Sequence, residues 1–336
     1  MVVADSPKRV AVLAACRADL AGGTLDIWPL GLLHPNSCTV NVALDLGVEI
    51  RVEPRERGYR VVQGRTVTEV ANIDDLACNP DTALIGLVAD FFEMAPFDLG
   101  IRSASPRGGG LGASSALVIA LIAAAEQLTM REPGSAAVRS ALARDFEAQL
   151  MKLPTGRQDH FPALLGGVLK IEHRAGGELV TRIDTALESL GDSLVVAYTG
   201  QSHFSAGNNW EVVRRRLDGD ADTVERFNAI ASTARGLARA LEDSDLEQVG
   251  SLMSEEWSLR RGLAPGISTD QIETLLDSCL RAGAWGGKAC GAGGGGCVAI
   301  LAPPRRRIEI ERELGRHGAE VLAARPTAQR LRVTVL

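Results

Sequence analysis

Two glycine-rich stretches are the parts of this sequence best suited to chemistry. The first reads Pro106-Arg107-Gly108-Gly109-Gly110-Leu111-Gly112-Ala113-Ser114-Ser115-Ala116. Glycines let a backbone take positive φ and approach an anion with no Cβ in the way. The apolar residues that follow read as a helix, whose first turn offers unpaired N–H groups and the positive end of a dipole. Ser114 and Ser115 would fall in that turn, where a hydroxyl can reach a phosphate or a metal ion. The run therefore predicts a phosphate-binding loop. It is not a Walker A loop, because no Gly-Lys-Ser/Thr closes it. The plain alternative is a glycine-rich turn with a serine as N-cap.

The second stretch runs from Gly286 to Gly296 and contains a formal G-x-G-x-x-G at Gly291, Gly293 and Gly296. A dinucleotide fingerprint needs a strand before it and a helix after it. Here the sequence predicts a helix before and an apolar strand after, which argues against that reading. A tight core turn with no ligand contact remains open.

Elements that could position these loops can be read from periodicity. Residues 9–15 and 97–101 read as strands. In residues 39–52, Val40, Val42, Leu44, Leu46, Val48, Ile50 and Val52 share one face, while Asn41, Asp45, Glu49 and Arg51 share the other. That alternation predicts a half-buried strand. Helices are expected over 80–92, 111–128, 135–153, 222–242, 246–261, 269–282 and 305–315, with Pro154 ending the third. Further strands are expected over 168–173, 194–198, 297–302, 320–323 and 330–336. The mixture of strands and helices lacks the regular βαβ beat of a doubly wound sheet. A domain boundary is expected near residue 180, around Ala175-Gly176-Gly177.

Composition excludes several alternatives. The 336 residues suit two domains or one large one. A formal net charge of −6 gives no sign of a basic nucleic-acid surface, and aromatics at 4% make base-stacking platforms improbable. No run approaches the roughly 18 apolar residues of a membrane span, and the first residues lack a signal-peptide pattern. The six cysteines form no CxxC pair, and no histidine sits at zinc spacing. They read as free thiols, buried or semi-buried, in a reducing cytoplasm.

The first glycine run resembles the second motif of the GHMP kinases, Pro-x-x-x-Gly-Leu-Gly-Ser-Ser-Ala, with Ala113 inserted as in the family's sugar-1-kinase branch (fucokinase and D-glycero-D-manno-heptose 7-phosphate kinase). The resemblance extends from about Arg17 to Ala302. It implies the two-domain α+β GHMP fold, with a ribosomal S5 domain 2-like ATP-binding half over 1–180 and a ferredoxin-like half over 181–336. It also implies ATP and Mg2+, with the nucleotide's phosphates over Pro106, Gly108, Gly109, Gly110, Leu111, Gly112, Ala113, Ser114 and Ser115. Ser115 is the implied metal ligand, with Ser114 as the fallback.

Gly156-Arg157-Gln158-Asp159-His160 resembles the family segment that carries the catalytic aspartate, written Gly-x-Gln-Asp-Gln in the sugar-1-kinase branch, so Asp159 is the implied base or orienter. Glu147, twelve residues earlier on a helix, is the implied second metal ligand, with Asp145 as its rival. Cys16 to Pro29 resembles the first motif, Arg-x-x-x-x-Gly-Gly-Gly-Thr-Asp-x-x-Pro. Arg17 then lies by the transferred phosphate, and Asp26, Gly23 and Gln158 by the substrate. The chain departs from this motif by carrying Thr24-Leu25 for Gly-Thr, and Trp28 and His34 follow.

The second glycine run resembles the third motif, which puts Gly293 and Gly294 by the substrate. Weaker matches are Tyr198-Thr199-Gly200, Glu256-Trp257 and Gly266-Ile267-Ser268. His203, Ser205 and Asn208 are within possible reach of substrate. The implied protein is a cytoplasmic kinase, monomer or homodimer, whose partner is a sugar or sugar phosphate phosphorylated at the anomeric hydroxyl. Alternatives are a mevalonate-, homoserine- or pantoate-type kinase, or a non-catalytic sugar sensor on the same fold.

Overall fold

The computed structural model describes residues 9–202 and 206–336. The strands in chain order are β1 (Val10–Ala21), β2 (Cys38–Pro54), β3 (Tyr59–Gln63), β4 (Thr66–Val70), β5 (Phe97–Ser103), β6 (Val168–Arg174), β7 (Gly177–Arg182), β8 (Leu194–Tyr198), β9 (Gly286–Ala289), β10 (Cys297–Leu301), β11 (Glu320–Val321) and β12 (Arg332–Val335). The helices are α1 (Ile73–Cys78), α2 (Ala83–Phe91), α3 (Ala113–Leu128), α4 (Ala136–Met151), α5 (His160–Leu165), α6 (Leu187–Ser193), α7 (Ala206–Leu217), α8 (Ala221–Glu242), α9 (Leu246–Arg261), α10 (Asp270–Arg281) and α11 (Arg307–Arg316).

The larger sheet has the order β12-β1-β2-β5-β3-β4, with β6 also pairing to β2 and β7 to β6. The long strand β2 serves two neighbours by halves. Its start, Cys38 to Val42, pairs with β6, and its end, Val48 to Pro54, pairs with β5. The expected half-buried alternation holds only over that end. From Cys38 to Leu44 every residue is buried. Asn41, expected on a polar face, is enclosed and donates from Nδ2 to the Gln158 carbonyl at 2.9 Å. That bond satisfies the Nδ2 end, while Oδ1 is buried without a partner among the described residues.

The smaller sheet has the order β11-β8-β10-β9, antiparallel throughout. The chain passes from the larger to the smaller sheet between β7 and β8. Ala175 and Gly176 are the turn of the β6–β7 hairpin, inside the larger sheet. The chain's last strand, β12, returns to the larger sheet and pairs with β1, Val10 opposite Val335.

Several expectations shift at their edges. The first strand runs six residues past Ala15, so Arg17 and Asp19 are strand residues, carried by a β1 that bulges after Ala15 and after Asp19. The seven expected helices start and stop near their predicted ends. The β3–β4 hairpin, β7, β9, α1, α5, α6 and α7 were not expected. β4 has no fully buried residue, so its periodicity carries little signal. Helix α3 is buried on nearly all sides from Val118 to Ala125, as its unbroken apolar run predicts. Five cysteines are buried and Cys78 is exposed, all as free thiols. Among the described residues no helix is long and apolar enough to cross a membrane.

Candidate active site

A cavity of about 550 Å³ opens between the two sheets. It is lined by β1, both glycine loops, the first turn of α3, the end of α4, the 154–159 segment and α9. Every residue from Pro106 to Ser115 faces it.

The first glycine loop has the geometry its composition predicts. Gly108, Gly110 and Gly112 have φ of 66°, 69° and 72°. Helix α3 starts with Gly112 as N-cap and no side chain caps it. The alternative of a serine N-cap is thereby excluded, and the N–H groups of the first turn are left for a ligand. The loop is fixed from two sides. On one, the Arg17 N–H donates to the Leu111 carbonyl at 2.9 Å, and Arg17 Nη1 donates to the Gly110 carbonyl. On the other it abuts the second glycine loop. A Cβ on Gly110 would stand 2.6 Å from the Cys290 carbonyl oxygen, and Cys297 N donates to Gly109 O at 2.8 Å.

That second loop does not follow a helix directly. The strand β9 precedes it and the strand β10 follows. The helix a dinucleotide site requires is therefore missing on the far side alone. Cys290 to Gly293, and Gly295, line the cavity. Gly294 does not, and its N–H is spent on the Ile267 carbonyl at 2.6 Å. Gly23 is likewise off the cavity wall, with Arg260 Nη1 occupying the space of its absent Cβ.

Arg17 and Asp159, 142 residues apart, form one unit. Arg17 Nε and Nη2 both reach Asp159 Oδ1, at 2.8 and 2.7 Å. This leaves Asp159 Oδ2 free of Arg17, and Asp159 lines the cavity. Burial works against the Arg17 charge, but Asp159 and Asp19 more than offset it and hold the guanidinium protonated. Gly112 lies under this pair, with Asp159 Oδ2 3.3 Å from the place of a Cβ.

Ser115 and Glu147 meet beside the glycine loop. Ser115 Oγ donates to Glu147 Oε1 at 2.6 Å. Asp145 is exposed and pairs with Arg144, so between the two rivals only Glu147 lines the cavity. Behind Glu147 stands a buried chain that the sequence did not announce. His160 Nε2 lies 3.0 Å from Glu147 Oε2, and His160 Nδ1 lies 3.2 Å from Ser140 Oγ. Arg157 Nε donates to that same Ser140 Oγ at 3.0 Å, and Arg157 pairs with Glu178 on β7. A hydroxyl and a carboxylate are hard oxygen donors, a set that fits Mg2+ held by few protein ligands.

Asp26 lies at another wall. It accepts from the Gln158 N–H at 3.0 Å on Oδ2. Gly156 must be glycine, since its Cβ would stand 1.7 Å from that oxygen. Burial pushes the Asp26 carboxyl up to about 6, against the opposing pull of the Gln158 N–H. Gln158 Oε1 is buried and has no partner among the described residues. Thr24, Ile27 and Arg260 complete this wall.

A second buried network joins the sheets. Lys288 Nζ on β9 lies 3.0 Å from Asp19 Oδ2 and 2.6 Å from Glu256 Oε2, all three fully enclosed. Burial alone would raise the Asp19 carboxyl; Lys288, then Arg260 and Arg17, pull it below the ordinary carboxylate range. Arg260 Nη2 donates to the Gly291 carbonyl at 3.0 Å. Glu256 had been noted in the sequence only as part of a helical stretch. His34, also noted, sits away from the cavity, between Asn228 at 2.7 Å and Arg216 at 2.8 Å. Trp28 is 68% exposed and is not part of the wall. His203 and Ser205 lie outside the described residues, as does the side chain of Asn208.

A cleft with an uncapped helix start, a serine–carboxylate pair and an Arg–Asp pair is suited to phosphoryl transfer, and comparison with known proteins agrees. The GHMP kinases N terminal domain matches residues 82–167, and the GHMP kinases C terminal domain matches 237–320. A mevalonate kinase of Aeropyrum pernix is 32% identical over 236 residues, 69% of this chain and 68% of that one. The D-glycero-alpha-D-manno-heptose 7-phosphate kinase of Campylobacter jejuni is 27% identical over 233 residues, 68% of each. The crystal structure of a D-glycero-D-manno-heptose 1-phosphate kinase from Bacteriodes thetaiotaomicron superposes with a TM-score of 0.76 at 19% identity, over 97% of this chain and 99% of that one. The chain belongs to the GHMP kinase family. It has that family's α+β fold, and it is a phosphotransferase with an alcohol group as acceptor.

Proposed function

We propose that this kinase uses Mg-ATP to phosphorylate a monosaccharide or sugar phosphate, at the anomeric hydroxyl. The observation that carries the reading is a meeting across one cleft. The anion-binding start of α3 lies on one side of the Arg17–Asp159 pair. The hydroxyl-accepting Asp26 and Gln158 lie on the other.

Each residue has a role in this account. The N–H groups of the glycine loop and of the first turn of α3 hold the nucleotide's phosphates. Val48, Ile101, Leu150 and Met151, which also line the cleft, give the purine an apolar wall. Ser115 and Glu147 would hold Mg2+, which when bound neutralises charge on the phosphates. Asp159 orients the acceptor hydroxyl through Oδ2 and takes up its proton as the new ester forms. Arg17 fixes Asp159 and lies where charge develops on the transferred group. Asp26 and Gln158 accept hydrogen bonds from other hydroxyls of the acceptor. The C. jejuni heptose 7-phosphate kinase and the Gln158-Asp159 segment both favour a sugar.

A mevalonate-type kinase is the second reading, favoured by the 32% identity to the A. pernix enzyme. One experiment separates the two. The protein is assayed with Mg-ATP over hexoses, heptose 7-phosphate, uronic acids, polyols, mevalonate and homoserine, and 31P NMR gives the position of the product phosphate. An anomeric sugar phosphate is expected. Turnover of mevalonate alone would support the second reading. A sugar sensor would bind without turnover.

A further inference from the structure

Among the described residues, six non-glycine positions have positive φ: Thr24, Asn36, Glu93, Met130, Lys152 and Ser244. Thr24, at φ 73°, is the one with a branched β-carbon, and of the six it alone lines the cleft. A branched Cβ crowds the next carbonyl in this conformation, so a threonine here is a true outlier, where glycine would sit without strain. Two turn hydrogen bonds hold the backbone around it. Leu25 N donates to Gly22 O, and Ile27 N donates to Thr24 O at 3.1 Å. Strain of this kind persists where the surroundings enforce it, and it gathers at ligand sites.

The side chain offers no structural return for that strain. Thr24 is buried, yet its hydroxyl makes no hydrogen bond within the described residues. It stands two residues from Asp26 and shares a wall with Gln158, whose Oε1 is also unpaired. Thr24, Asp26 and Gln158 thus all line the cleft, and Asp26 Oδ2 is tied to the Gln158 N–H. The first motif of the sugar-1-kinase branch has glycine at this place, which would leave the space open.

We infer that Thr24 determines which acceptor this enzyme takes. Its hydroxyl reads one hydroxyl of the acceptor beside the group held by Asp26. Its methyl narrows the wall, so that an acceptor carrying a bulkier substituent there, such as an acetamido group in place of a hydroxyl, is excluded. This rests on the reading of the cleft as a sugar site.

Thr24→Gly and Thr24→Val test it by thermal unfolding and by kcat/KM over sugars and their N-acetylamino counterparts. Thr24→Gly is expected to raise the melting midpoint by roughly 2–4 °C. It should also lower the preference for the native sugar over its N-acetylamino counterpart by roughly 10-fold or more. Thr24→Val keeps the wall and loses the hydroxyl. It should still exclude the acetamido sugar, while KM for the preferred acceptor rises. An unchanged preference in Thr24→Gly overturns the inference. So does a midpoint that stays or falls, which would make Thr24 a folding residue. A wild-type enzyme inert towards every sugar contradicts the proposed function instead. The Thr24→Gly midpoint then decides alone, a rise supporting the strain argument and no rise overturning it.

Discussion

Asp26 illustrates how a single buried carboxyl ties stability to function. Its folded value of about 6 lies above the ordinary 3.8. The folded state therefore holds this proton more tightly than the unfolded chain, and the stability this gives is lost as pH rises through about 6. Near pH 8 the ionised group is a liability of the order of 3 kcal/mol. Asp26→Asn should accordingly raise the melting midpoint more at about pH 8 than at about pH 5, as scans at both would record. The same change should weaken acceptor binding. It should also abolish the fall in kcat/KM below about pH 6 that protonation of Asp26 is expected to give the wild type.

His160 acts at the same scale. Glu147 Oε2 can only accept when ionised, so His160 Nε2 donates to it, and a neutral imidazole then accepts from Ser140 Oγ on Nδ1. Groups that orient a metal-binding carboxylate are worth roughly 10–100-fold in metal affinity. His160→Leu should weaken Mn2+ binding to the protein–ATP complex by that order, read by EPR titration, and His160→Gln, which keeps a donor, should recover most of it. Neither Asp26's raised carboxyl nor the Ser140–His160–Glu147 chain could be read from sequence. The first depends on Asp26 meeting the 156–158 segment, the second on α4 packing beside α5.

The glycine loops were the most legible elements. Four glycines in five positions, then two serines, carry their own geometric meaning, and the structure gives them positive φ and an uncapped helix. Strand β1 was legible only to Ala15. Its continuation through Arg17 and Asp19 mixes charged residues into a strand, because both charges are neutralised inside the molecule. The β3–β4 hairpin left no signal because it lies at an edge of the sheet. That the two loops stand back to back follows from the family resemblance and not from any spacing in the chain. Gly110→Ala should reveal this contact. A methyl at φ 69°, 2.6 Å from the Cys290 carbonyl, should cost at least about 1–2 kcal/mol from the backbone alone. It should also weaken ATP binding in calorimetry, and an unaltered ATP affinity would mean that the loop does not hold the nucleotide.

Across the whole molecule, the cleft exists because two sheets are held at a fixed distance. The Asp19–Lys288 pair spans 269 residues, a separation over which no local pattern operates. Removing one member of a buried ion pair leaves its partner uncompensated, at a cost of about 3–5 kcal/mol. Lys288→Met should therefore lower the melting midpoint by roughly 6 °C or more. The joint between the sheets sets Arg260 and the second glycine loop on the cleft wall proposed to hold the acceptor, so acceptor affinity should fall with it.

The central claim is that the glycine loop and the Arg17–Asp159 pair that adjoins it belong to one phosphoryl-transfer site. It is tested most directly by the turnover of Asp159→Asn on the acceptor identified by the panel, with ATP affinity measured alongside. The account predicts a kcat lower by roughly 10²–10⁴-fold, with ATP still bound in the glycine loop. Wild-type turnover by Asp159→Asn would contradict it.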